Sequence, residues 1–217
     1  MKEYAPACER NSQVILNVLQ RILAQSRSVL EIGSGTGQHA VFFANGLPHL
    51  QWQPTNKESL DSINAWRQEA EFANVSPARS VDLLDDPVVQ FTELPEVDAI
   101  VCINTVHIMA WQGTEKLFEL AASAIPPGGV LYLYGPYRYS DRPLEPSNEN
   151  FDLWLKERDP LSGIRDFEAV NRLAELAGFE LQQDLAMPAN NRSIWWLKRK
   201  TFSWLLIILA GLIYGSC

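Results

Sequence analysis

Three glycines at alternate positions, Gly33, Gly35 and Gly37, follow an apolar run that carries a single acid, Val29-Leu30-Glu31-Ile32. A residue without a Cβ reaches positive φ and lets a ligand lie against bare backbone. Ala40-Val41-Phe42-Phe43-Ala44 reads as the helix that comes next. The first N–H groups of such a helix are unpaired and electropositive, suited to a carboxylate or another anionic group. Glu31, at the carboxyl end of the strand, has two readings: it accepts from a ligand amine, or it positions the loop. Ligands of open α/β sheets bind at that edge. A turn that merely holds a helix on a sheet needs one or two glycines, so three predict a cofactor loop.

The spacing is not the G-x-G-x-x-G of dinucleotide folds, which disfavours a nicotinamide-dependent oxidoreductase. E-x-G-x-G-x-G over residues 31–37 resembles the first motif of class I S-adenosylmethionine (SAM) methyltransferases. The resemblance implies SAM as cofactor, with Glu31, Gly33, Ser34, Gly35 and Gly37 around its methionine part. For the ribose hydroxyls an acceptor is wanted at the end of the second strand, where a carboxylate is usual and Asn56 stands here. An amide accepts the same bond without the charge that strengthens it. Glu58 is a substitute if the loop turns back, and a helix cap is the competing role for Asn56. Asp82 and Leu83 offer the adenine an acceptor for its amino group and an apolar slot for its ring. The competing role for Asp82 is a solvated turn acid, since Asp85-Asp86-Pro87 follows closely.

After the fourth strand, Asn104 falls where the cofactor's sulfonium and the incoming nucleophile should meet. His107 is the one histidine placed there, and its ordinary pKa near ~6.5 suits a general base. Methyl transfer is an in-line displacement in which alignment does most of the work. The competing role for His107 is a hydrogen-bonding histidine that lines the pocket. Trp111 reads as core.

These residues need elements to position them. Asn11 can cap a helix over residues 11–25, with Val14, Ile15, Val18, Leu19, Ile22 and Leu23 as its apolar stripe. Strands are predicted at 28–32, 49–55, 78–83, 98–104, 130–134, 179–185 and 193–199. Helices are predicted at 37–45, around Leu60, Ile63, Trp66 and Ala70, at 115–124 and at 166–177, with Gly178 as the last one's stop. The β-α alternation implies an α/β fold, a parallel sheet with helices on both faces. With the methyltransferase resemblance this becomes a Rossmann-like, mostly parallel seven-stranded sheet whose C-terminal strand pair forms an antiparallel edge. Residues 135–166 break the alternation: polar, rich in Pro, Asn and Arg, they read as an irregular substrate-contacting segment.

The chain has 217 residues, 47% of them hydrophobic, enough for one domain with a sizeable core. A net charge of −8 argues against a nucleic-acid partner. Cys8, Cys102 and Cys217 are too few and scattered for a disulfide framework or a zinc site, and no metal is expected; Cys102 reads as a small core residue. The start carries no signal-peptide pattern, so the cytosol is the expected compartment. Residues 1–200 are expected to form the domain and 201–217 a hydrophobic tail behind Lys198-Arg199-Lys200. As a helix its apolar stretch would span ~20 Å against a ~30 Å hydrocarbon core. It therefore predicts a peripheral membrane or protein contact rather than a crossing.

A closer resemblance rests on several motifs together. They are Glu9-Arg10-Asn11, residues 30–39, Trp52-Gln53-Pro54-Thr55, Ile103-Asn104-Thr105-Val106-His107-Ile108 and Tyr134-Gly135-Pro136-Tyr137. Ser147-Asn148, Phe151-Asp152, Gly163-Ile164-Arg165-Asp166 and Met187-Pro188-Ala189-Asn190-Asn191 extend the match. Over about residues 4–198 the chain resembles the SAM-methyltransferase-like family that includes methyltransferase-like protein 26. In that family position 56 is usually an acid, and the tail lies outside its pattern. The family leaves the acceptor open. Tyr137, Asn148, Asp152 and Arg165 are the candidate substrate contacts, a polar, mixed-charge lining. Arg165 suits a carboxylate or phosphate through a bidentate contact, against a surface ion pair as its competing role. The expected function is methyl transfer from SAM to a small polar, anionic acceptor; the alternative is an inactive SAM-binding or interaction module of the same fold.

Overall fold

The computed structural model describes residues 1–72, 74–85 and 96–200. The hydrophobic tail at 201–217 and Asp86-Pro87 lie outside the described residues. Helix α1 (Pro6–Ile22) leads to β1 (Ser28–Ile32), α2 (Gln38–Gly46), β2 (Gln51–Asn56), α3 (Leu60–Glu69) and β3 (Arg79–Ser80). Then come β4 (Ala99–Ile103), α4 (Trp111–Ala124), β5 (Val130–Gly135), β6 (Tyr137–Arg138) and α5 (Pro146–Arg158). The chain continues through β7 (Arg165–Asp166), α6 (Phe167–Leu176), β8 (Phe179–Met187), a 3-10 turn (Pro188–Asn190) and β9 (Asn191–Lys198).

Seven strands form one sheet in the order β3-β2-β1-β4-β5-β9-β8. All pairs are parallel as far as β5, and β9 runs antiparallel to both β5 and β8. The chain builds outward from β1 through β2 to β3, then returns to place β4 on β1's other side. The crevice between the carboxyl ends of β1 and β4 is therefore the switch point where such sheets bind ligands. Ile32 stands opposite both Thr55 and Cys102, so β1, β2 and β4 end at one level.

Ala99, Val101 and Ile103 of β4 pack with α1 and α2 around Ile15, Leu19, Phe43 and Trp52. Ile100 and Cys102 pack with α4 and α6 around Leu117, Phe118, Val170 and Ala174. Burial on both faces is why the strand reads as an unbroken apolar run.

Three expectations change. Helix α1 begins at Pro6 rather than Asn11, because proline is tolerated at the first helical position while the apolar stripe starts only at Val14. The third strand shrinks to Arg79–Ser80. The supposedly irregular residues 135–166 hold α5 and a separate two-stranded parallel sheet of β6 and β7. The buried residues of α5 are Asn148, Asp152 and Leu155. They follow helical spacing, but two are polar, so no hydrophobic stripe announces the helix.

Candidate functional site at the β1–β4 crevice

The glycine loop is knitted to the sheet by its own polar groups. Ser34 N–H donates to Thr55 O (2.8 Å), and Gly37 N–H to Ser34 O (2.9 Å). Thr55 returns its hydroxyl to Glu31 O (2.6 Å) and its N–H to Ser34 Oγ (3.2 Å). The Glu31 carboxylate is buried, and its Oε2 accepts from Ser34 Oγ (2.8 Å) and Trp52 Nε1 (3.0 Å). Both bonds fall on Oε2 and tie the loop to β1 and β2, the loop-positioning role. Burial pushes its carboxyl up to about 7, with the two hydrogen bonds opposing the shift.

Gly35 has φ +54°, and a Cβ there would meet nothing within 4 Å. The loop thus turns bare backbone toward open space, and α2 begins immediately behind it at Gln38.

Asn56 ends β2. Its Nδ2 donates to Glu58 O (2.6 Å), which leaves the amide oxygen as an acceptor at the carboxyl edge. It is no helix cap: α3 starts at Leu60 behind Ser59. Val81 N–H donates to Asn56 O (2.9 Å), bringing the next segment alongside. There Asp82 accepts from Leu84 N–H (3.0 Å) and pairs with Lys57 Nζ (3.1 Å). The Leu84 N–H, followed by the lysine, holds its carboxyl below the usual range. The turn-acid role is thus present at Asp82, beside a buried Leu83.

On the other side of the crevice, Asn104 takes a left-handed φ of +53° and donates its N–H to Tyr134 O (2.8 Å). His107 is 3% exposed, sets its ring edge-on to Phe151 of α5 (5.4 Å) and leaves Nδ1 buried without a partner among the described residues. A Cβ on Gly135 would lie 3.2 Å from that nitrogen. Burial, helped by the Arg165 cation, pushes the imidazole down to about 4, so it is neutral at physiological pH.

The expected substrate contacts on the insert turn largely toward the protein. Arg165 donates from Nε to Val106 O (3.0 Å) and from Nη2 to Met109 O and Leu161 O (3.0 Å). Among the described residues it forms no salt bridge, and its Nε and Nη2 are spent on these three carbonyls. Asp152 accepts from Ile164 N–H (2.7 Å) and pairs with Lys156 (2.6 Å) and Arg138 (3.1 Å). Asn148 donates to Asn190 O (3.1 Å), pinning α5 to the 3-10 turn. Of the four, Tyr137 keeps a buried hydroxyl without a partner among the described residues. Polar residues in an insert look the same in sequence whether they face a ligand or their own fold.

Sequence reasoning missed Asn11 and Thr105 as parts of this arrangement. Asn11 Oδ1 lies 2.8 Å from His39 Nε2 and the side chain bonds Tyr134, tying α1 to α2 and β5. Residues 1–5 cross the loop's flank: Glu3 N–H donates to Ser62 Oγ (2.9 Å), whose hydroxyl donates to Thr36 O (2.7 Å). Among the described residues there is no cluster of three or more potential metal ligands, and no helix long and apolar enough to cross a membrane.

A mostly parallel seven-stranded sheet with this strand order, an antiparallel end pair and helices on both faces is the Rossmann-like methyltransferase fold. The chain belongs to the family described as "Protein of unknown function (DUF938)", which it matches over residues 2–198. An O-methyltransferase family protein from Burkholderia thailandensis superposes with a TM-score of 0.72 at 17% identity, covering 90% of this chain and 58% of that one. Human N-acetylserotonin methyltransferase, solved in complex with SAM, gives 0.69 at 19% identity, covering 89% and 53%. The chain thus spans less than two thirds of the length of either. A stretch of 121 residues, 54% of this chain, is 28% identical to 3% of a hybrid PKS-NRPs synthetase (opdA) of Penicillium oxalicum.

Proposed function

We propose that the protein is a class I SAM-dependent methyltransferase acting on a small polar acceptor, akin to the family that includes methyltransferase-like protein 26. The observation that carries this is the β1–β4 crevice. It has a glycine loop with open space over Gly35, an amide acceptor at Asn56, and a buried, unpartnered His107 Nδ1 on the far side. Gly33, Ser34, Gly35 and Gly37 would hold the methionine part of SAM, Asn56 the ribose, and Asp82 and Leu83 the adenine. When bound, SAM supplies an electrophilic methyl group on a sulfonium.

Asn104 and His107 would face the acceptor. A neutral imidazole with a free Nδ1 accepts a hydrogen bond from a protic acceptor and takes its proton as the new bond to methyl forms. Since Arg165 donates to three protein carbonyls, no group on the insert is assigned to an anionic end of the acceptor.

A second reading, a SAM-binding or interaction module without turnover, is favoured by the amide at position 56, which lacks the charge of a carboxylate. Thermal unfolding of the full chain with and without S-adenosylhomocysteine separates the two outcomes for the pocket. Ligand at about 100 times its dissociation constant adds ~2.7 kcal/mol, a rise of roughly 5–10 °C. No rise at millimolar ligand would remove the cofactor and leave the interaction module.

A further inference from the structure

The turn that carries His107 is bolted from two sides. On the cofactor side, Thr105 Oγ1 donates to Ile103 O (2.9 Å) and reaches Gly33 O (3.5 Å), while Ile108 N–H closes the turn on Thr105 O (3.0 Å). On the insert side, Gly163 N–H donates to His107 O (2.9 Å), and the Arg165 guanidinium takes the carbonyls of Val106 and Met109. Three carbonyls of the turn, those of Val106, His107 and Met109, are thereby held by Gly163 and Arg165. A guanidinium in a fixed fork holds two acceptors in one plane, which a lysine cannot do.

We propose that Arg165 is a positioning residue for the transfer site: by gripping Val106 and Met109 on either side of His107, it sets the imidazole against Phe151 and Gly135. That His107 faces an acceptor rests on the methyltransferase reading; that Arg165 places it does not. The same cation lies close enough to His107 to favour its neutral form. The charged groups that act on Arg165 in turn are Asp152 and Asp159.

The chain has three histidines, so the His107 imidazole can be followed by NMR titration in the full-length protein. Arg165→Met should raise its midpoint by roughly half a unit to one unit, since a neighbouring cation is removed. It should also speed amide exchange across residues 105–109 by about tenfold, as a local opening becomes easier. Arg165→Lys keeps the charge without the fork: the midpoint should stay near the wild-type value while exchange still accelerates. Should the Met variant fail to fold, the Lys variant carries the test. Variants that lower the unfolding temperature but keep wild-type titration and wild-type exchange in this turn would overturn the proposal. S-adenosylhomocysteine affinity is measured on the same samples. A wild-type chain that does not bind it sinks the cofactor reading alone, because the titration and exchange of the turn still decide the role of Arg165.

Discussion

Thr105 closes on Gly33: a Cβ built on that glycine would lie 2.6 Å from Thr105 Oγ1. The contact joins the loop after β1 to the loop after β4 across the switch point of the sheet. It also leaves the two sides of the crevice no slack at this position.

The glycines therefore separate folding from binding. Gly33→Ala, at φ +73° and against Thr105, should destabilise the fold by about 1–3 kcal/mol through overpacking. Gly35→Val has open space before it, so it should leave the domain folded at a backbone cost of about 1–2 kcal/mol. It should nevertheless abolish S-adenosylhomocysteine binding. Calorimetric unfolding and titration of both variants provide the check, and retained affinity in Gly35→Val would count against the cofactor loop.

Glu31 makes stability depend on pH in an unusual direction. Its folded carboxyl titrates at about 7, whereas an unfolded glutamate titrates near ~4.3. Between those values the folded chain keeps a proton that the unfolded chain has released. The stabilisation is complete below ~4.3 and is lost as pH rises toward 7. His39 and His107, both pushed down to about 4 by burial, act in the opposite sense over an overlapping window. The informative quantity is thus the difference between wild type and Glu31→Gln in unfolding temperature. Wild type should lose ground to the variant by several degrees between pH 5 and pH 7.5, and a constant difference would show that Glu31 is ionised throughout.

The antiparallel edge is held in register partly by a buried hydroxyl pair, Tyr132 Oη and Ser193 Oγ at 2.7 Å. Tyr132→Phe leaves the serine hydroxyl unpaired among apolar neighbours and should lower stability by about 1–2 kcal/mol. Adding Ser193→Ala should recover part of that loss. A denaturant double-mutant cycle reads the coupling directly, and strict additivity would mean that the pair contributes nothing.

Where one physical signal dominates, the sequence was sufficient. Burial on both faces favours unbroken apolar runs, so β4 within 98–104 stands out in the sequence, and β1 at 28–32 does so with Glu31 as its single acid. The glycine spacing marks the loop in the same direct way, and the β-α alternation then forces a parallel sheet with the loop at its carboxyl edge. Helix α5 shows the opposite case. It buries Asn148 and Asp152 through hydrogen bonds to Asn190 and Ile164 and an ion pair with Arg138, all outside the helix, and a polar residue with such a partner carries no periodic signature.

The sequence by itself determined the sheet, the cofactor-type loop and the set of residues brought to one edge, because apolar periodicity and backbone sterics act over short stretches of chain. Only the tertiary structure decided which polar groups remain available at that edge. Glu31 is taken by Ser34 and Trp52, Arg165 by the carbonyls of the His107 turn, and His107 Nδ1 is left without a partner. Apart from the Ser34 bond, these contacts join segments 21 to 59 residues apart, so they are fixed by packing and cannot be read from spacing.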